Sequence, residues 1–176
     1  EEDSPYYADE ASWSWSNFEL LMDVEIYNCP NLERLPLEFI TNLPMLQSLN
    51  VAMNYGISGE QLKKDWEAII DGESGDDIQI LYLSFNNLEE TPSHEYLKRM
   101  TKLSYLDCTT NRLKRVHALG KEISPATIMF DYNEITDFEM DIDCLWTKWS
   151  CKDCEETWAE YYTLTYDGYA TDGKVY

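Results

Sequence analysis

Apolar positions along this chain follow neither the strict alternation of a half-buried strand nor the three-to-four step of an amphipathic helix. In IQILYLSFNNLEETP, residues 78–92, Ile78 stands three before Leu81, Leu83 follows two later, and Asn86 comes three after that. Asparagine is a poor strand former and costly to bury without partners. Asn86-Asn87 alone would read as a turn that tolerates left-handed backbone, but a turn need not recur at one offset from the same apolar slots. The frame apolar-x-x-apolar-x-apolar-x-x-Asn does recur. It holds Leu46, Leu49, Val51 and Asn54, and again Leu103, Leu106, Cys108 and Asn111. Leu21, Val24, Ile26 and Cys29 fit with a thiol in the asparagine slot, and Pro125, Ile128, Phe130 and Asn133 fit with proline in the first apolar slot. The last slots, 29, 54, 86, 111 and 133, lie 25, 32, 25 and 22 residues apart. That period argues for stacked coils.

With five copies in frame, residues 21–138 resemble the leucine-rich repeat family, whose motif is L-x-x-L-x-L-x-x-N/C-x-L. The type resembled is that of bacterial secreted or surface proteins. The resemblance implies an α/β solenoid: a right-handed coil with short parallel strands on the concave face and helices and irregular returns on the convex face. It further implies that Cys29, Asn54, Asn86, Asn111 and Asn133 form a structural ladder, turned inward to bond the backbone of neighbouring coils and carrying no chemistry. Cys29 and Cys108 are accordingly expected to be buried free thiols that act as small hydrophobes.

The returns differ in length. PLEFITNLPM (36–45) and TPSHEYLKRMT (91–101) read as short helical or irregular passages. SGEQLKKDWEAIIDG (58–72) places Leu62, Trp66, Ile69 and Ile70 at helical spacing, with Ser58 as cap and Gly72 as stop, which accounts for the 32-residue interval. A solenoid exposes an apolar section at each end and must cover it. Residues 1–20, with Trp13, Trp15 and Phe18, are expected to form the N-terminal cap, and residues 139–176 a Cys/Trp/Tyr-rich C-terminal cap within the same single domain. In that tail, residues 161–166 read as a strand and Asp167-Gly168 and Asp172-Gly173 as turns. A further domain begun there is the alternative. Of Cys144, Cys151 and Cys154, two could pair in a disulfide, or all three could be free thiols. A metal site needs more ligands than these offer, since His94 and His117 are far off in sequence and read as surface residues.

Enzyme signatures are absent: there is no phosphate-binding glycine loop, no H-E-x-x-H and no G-x-S-x-G elbow. A non-enzymatic protein with no cofactor and no metal is the expectation. The net charge of −21, from 34 acidic and 13 basic residues, repels phosphate-coated partners, so nucleic acid is excluded as an expected partner. No apolar stretch is long enough for a membrane span. The chain opens at Glu1 without methionine or an apolar leader, which fits a mature chain whose signal peptide has been removed. An extracellular or cell-surface location follows from that expectation.

Function then falls to the surface that the repeat presents. In each strand the residues between the inward slots point outward. They are Asp23, Glu25 and Tyr27; Ser48, Asn50 and Ala52; Ile80, Tyr82 and Ser84; Tyr105, Asp107 and Thr109; and Thr127, Met129 and Asp131. Carboxylates thus flank an apolar and aromatic middle of Ile80, Tyr82 and Tyr105. Tyrosine is common at interfaces because it buries area at low entropic cost and keeps a polar tip, though Tyr and Thr are also good strand formers on an open sheet. Two function classes remain. One is an exported module that binds a protein or peptide, in preference to a glycan, on its concave sheet, where a basic partner suits the charge. The other is an intracellular acidic scaffold or chaperone for basic proteins. The sequence does not fix the oligomeric state.

Overall fold

The computed structural model describes residues 18–119, 127–139 and 148–150. Its elements run β1 (Asp23–Glu25), α1 (Leu37–Ile40), β2 (Ser48–Asn50), α2 (Gly59–Ile70), β3 (Ile80–Tyr82), α3 (His94–Leu97), β4 (Tyr105–Asp107), β5 (Arg115–Val116), β6 (Thr127–Met129), β7 (Asp137–Phe138) and β8 (Lys148–Ser150). One sheet takes the order β1-β2-β3-β4-β6-β8, every pair parallel. The motif predicts the register: Val24, Leu49, Leu81, Leu106 and Ile128 lie in one row, each second-slot residue opposite the next. All five are buried, as are the third-slot residues Val51, Leu83, Cys108 and Phe130. This is an open α/β leucine-rich repeat solenoid. Its core is a column of inward slots between the sheet and the returns, and strands of three residues suffice because each inner strand is paired on both sides.

Cooperation between neighbouring coils comes from the asparagines. Asn54 Nδ2 donates to the carbonyls of Ile26 and Val51 at 2.6 and 2.8 Å while its Oδ1 accepts from Cys29 N–H. Asn86 Nδ2 reaches Val51 and Leu83, Asn111 Nδ2 reaches Leu83 and Cys108, and Asn133 Nδ2 reaches Cys108 and Phe130. One amide therefore joins a carbonyl of its own coil to one of the coil before. The residue ahead of each last slot, namely Asn28, Met53, Phe85, Thr110 and Tyr132, has φ between 53 and 61°. This left-handed step turns the chain sharply enough to aim the next side chain inward, a geometry that ordinary L residues adopt at a cost of about 1–2 kcal/mol. Asn87, the second residue of the opening pair, donates instead to Tyr55 and Ile57 carbonyls, at 2.9 and 3.2 Å, and sews the turn of coil three to coil two.

Cys29 departs from expectation. It is exposed, and its thiol donates weakly to Tyr27 O in its own coil. A rung needs a coil on its upstream side, and no described strand precedes β1. Cys108 is buried, as its core slot implies, and burial pushes its thiol well above the ordinary value.

The returns follow the sequence closely. The Ser58 hydroxyl accepts from Gln61 N–H and caps α2, which buries Leu62, Trp66, Ile69 and Ile70. Gly59 starts this helix against coil three, where a Cβ would stand 2.2 Å from the Asn87 carbonyl oxygen. Two features were not expected. Asp65, fully buried on α2, accepts from Leu35 N–H at 2.8 Å and from the Gln61 amide at 2.7 Å, fastening the first return to the helix. On the return side β5 and β7 form a second, two-stranded parallel sheet.

At the C-terminal side, β8 pairs with β6, Trp149 opposite Ile128. The sheet thus gains a sixth parallel strand beyond residue 138, within the segment expected to form the C-terminal cap. Trp146-x-x-Trp149-x-Cys151-x-x-Cys154 continues the frame with tryptophan in place of leucine and cysteine in the last slot. Trp13, Trp15, Cys144, Cys151 and Cys154 and the strand and turns expected at 161–173 lie outside the described residues. Of the N-terminal cap, Phe18 packs edge-on against Phe39, their ring centroids 5.7 Å apart.

Candidate binding surface

Tyr82 and Tyr105 come together because the parallel register offsets them by one outward slot. Ile80 faces Tyr105 and Tyr82 faces Asp107, so the tyrosines are diagonal neighbours on β3 and β4. Their ring centroids are 5.1 Å apart, tilted at 46°. Met129 lies beyond, opposite Asp107, and its sulfur accepts from the Tyr105 hydroxyl at 3.2 Å. Ile80, Tyr82, Tyr105, Asp107 and Met129 are all half-buried, which leaves a continuous aromatic and apolar floor three strands wide. Burial, the Asp107 charge and neighbouring Tyr82 together raise the Tyr105 phenol above its ordinary pKa.

The other expected binding residues divide. Asp23, Glu25 and Tyr27 are exposed on β1 and just after it. Asn50 is half-buried, and its Oδ1 accepts from Ala52 N–H at 3.1 Å, folding the chain at the end of β2. Asp107 makes the same bond to Thr109 N–H at 2.9 Å. Asp131 differs from expectation: at 8% exposed it is nearly covered and is a wall of this surface rather than an open rim. The slot that it occupies, two past the end of the strand, also buries Ser84, while it leaves Ala52 and Thr109 half-buried and Tyr27 exposed.

Ion pairing among the described residues is confined to the returns. On the returns Lys63 pairs with Glu90 at 2.7 Å, Arg99 with Asp71 and Asp76 at 2.6 and 3.1 Å, and Arg115 with Asp137 at 2.7 Å. Lys64, Lys98, Lys102 and Lys114 also have acidic partners there. His117, read from sequence as a surface residue, is mostly covered and spans Glu90 and Glu139, 2.9 Å from each. The Lys63 ammonium, and secondarily the His117 ring, hold the Glu90 carboxyl at about 2 against the opposing effect of burial. Among the described residues no base pairs with Asp23, Glu25 or Asp107 on the concave side.

The same architecture occurs in solved structures. The chain is similar to a leucine-rich repeat protein from Bacteroides eggerthii, at 43% identity with a TM-score of 0.71 over 85% of this chain and 24% of that one. It is also similar to a leucine-rich repeat protein from Bacteroides thetaiotaomicron, at 38% identity with a TM-score of 0.72 over 88% of this chain and 19% of that one. The chain thus spans between about a fifth and a quarter of the length of these proteins. No protein-family model matches the chain, and no curated protein matches it.

Proposed function

The chain is a leucine-rich repeat protein of bacterial type, and from that premise we propose that it is a non-enzymatic module holding a protein or peptide on its concave sheet. One observation carries the reading. Every ion pair of the described residues lies on the returns, whereas the sheet presents Asp23, Glu25 and Asp107 without a basic partner among the described residues, around a packed tyrosine pair. A partner with positive charge and apolar side chains complements that surface. Ile80 and Met129 in the floor offer little to sugar hydroxyls, which disfavours a glycan.

The test is to select binders from a random peptide library against the protein and compare them on two variants. Central aromatic anchors contribute about 2 kcal/mol or more, so Tyr82→Ala should weaken selected peptides by at least about tenfold. Glu67→Lys on α2 should leave them unchanged. The opposite pattern would place binding on the convex side and end this reading. Export to the cell surface belongs to the same proposal and is tested by fractionating cells that make the protein. Confinement to the cytosol would favour the acidic scaffold instead.

A further inference from the structure

Within the concave sheet one spot is more selective than the rest. Asp107 stands directly opposite Tyr82 on one side and Met129 on the other, and the Tyr82–Tyr105 pair lies beside it. Its Oδ1 accepts from Thr109 N–H, but that bond does not require a carboxylate. At the matching slot of coil two, Asn50 makes the same bond to Ala52 with a neutral amide. The charge at 107 is therefore surplus to the turn, and the second oxygen is not committed to it. No base of the described residues pairs with that carboxylate.

A half-buried carboxylate beside two tilted tyrosine rings suits one kind of side chain. Aromatic faces attract cations, and arginine more often than lysine, because its planar guanidinium stacks on a ring while donating in-plane bonds. The same plane offers paired donors to a carboxylate. We propose that the cleft of Tyr82, Tyr105 and Asp107 recognises an arginine side chain of the partner, stacked on the tyrosine pair and bonded to Asp107. This rests on the concave-face reading and narrows it, since a partner held by apolar contacts alone would also satisfy that reading.

The probe is an end-capped Gly-Gly-Arg-Gly-Gly peptide, titrated into full-length protein whose tyrosine rings carry carbon-13 and followed by NMR. Two control peptides replace the arginine with citrulline, its neutral isostere, or with lysine. Arginine should give saturable shifts of the Tyr82 and Tyr105 ring signals, with Tyr55 unmoved. Citrulline should bind at least about tenfold more weakly, and lysine several-fold more weakly. In Asp107→Asn the Thr109 bond survives, so the fold is kept, and the preference for arginine over citrulline should vanish. Absence of shifts at these two rings, equal binding of arginine and citrulline or of arginine and lysine, or an undiminished preference in Asp107→Asn each overturns the assignment. If selected library peptides still depend on Tyr82 while the arginine probe fails, the concave-face reading stands and only this inference falls. If neither depends on Tyr82, both fall.

Discussion

The asparagine ladder makes a prediction that distinguishes it from any generic buried residue. Consider Asn111→Ala. Four hydrogen bonds are lost: Oδ1 from Leu88 N–H at 2.9 Å, Nδ2 to the carbonyls of Leu83 and Cys108 at 2.9 and 3.1 Å, and a longer one from Nδ2 at 3.3 Å to the Thr109 carbonyl, which keeps Phe85 N–H. The carbonyls are not orphaned, because Leu83 O still receives Asn86 Nδ2 and Cys108 O still receives Asn133 Nδ2. Only the Leu88 N–H is left without its partner. Such an orphan costs about 1–3 kcal/mol, and each of the two amide hydrogens whose bonds are lost but compensated about 1 kcal/mol, so the total should be about 3–5 kcal/mol. Thr109→Ala, on the outward face, should cost about 0.5 kcal/mol or less. Asn111→Asp, although isosteric, should be at least as damaging as alanine, since a carboxylate turns oxygen toward two carbonyls. The sharing also predicts coupling. Asn86 and Asn111 both bond Leu83 O, so Asn86→Ala with Asn111→Ala strips that carbonyl completely and should cost more than the two single changes added. Asn54 and Asn111 share no carbonyl, and their double variant should be additive. Urea titrations of the wild type and these seven variants decide the matter. Equal small losses for Thr109→Ala and Asn111→Ala, or strict additivity for the 86–111 pair, would refute the ladder as described.

Other consequences can be measured on the same protein. Thr110, β-branched at φ 53°, pays for a left-handed backbone that asparagine tolerates, so Thr110→Asn should raise the urea midpoint by an amount equivalent to about 0.5–1 kcal/mol. Asp65→Ala orphans the buried Leu35 N–H and should cost about 1–3 kcal/mol, whereas Asp65→Asn keeps an acceptor there and should cost less; equal losses would assign Asp65 to packing alone. Glu90 is depressed to about 2 from 4.5. Its contribution is thus complete above the unfolded value and is lost as pH falls from about 4.5 toward 2. Screening at this partly exposed site limits it to about 1–2 kcal/mol. Glu90→Gln should therefore flatten the acid limb of the stability curve and leave its shape near neutrality unchanged, and an unaltered acid limb would count against the Lys63–Glu90 pairing.

What could be read from the chain depended on which contacts recur. The inward slots were legible because every coil meets the same neighbours, so Leu49, Leu81, Leu106 and Ile128 announce one another at fixed offsets. The sixth strand is hard to read from the chain because Trp146 and Trp149 hold slots that the motif gives to leucine, although the frame runs on through Cys151 and Cys154. Cys29 was read by slot alone, and a slot says nothing about whether a coil lies upstream. The Tyr82–Tyr105 pair was legible through register, since adjacent outward slots on consecutive parallel strands must be diagonal neighbours. Contacts that occur once were not legible. Neither the Asp65 bond to Leu35, 30 residues away, nor the placement of His117 between Glu90 and Glu139 leaves a periodic trace.

The repetition also supplies its own controls. Ser48, Ile80, Tyr105 and Thr127 occupy one outward slot in successive coils, opposite one another across the sheet. Small polar residues at two of these four places fold as well as the larger ones, so the strand itself does not demand a tyrosine there. The next outward row behaves alike: Asn50, Tyr82, Asp107 and Met129 share a backbone setting, and two of them, an amide and an acid, make the same local bond. A residue that its own coil does not require, in a slot that other residue types fill without loss of register, is selected by something outside the coil. For Tyr82, Tyr105 and Asp107 the proposed requirement is a cationic, ring-stacking partner, and the same slots of coil two, where Ser48 and Asn50 present neither ring nor charge, do not meet it.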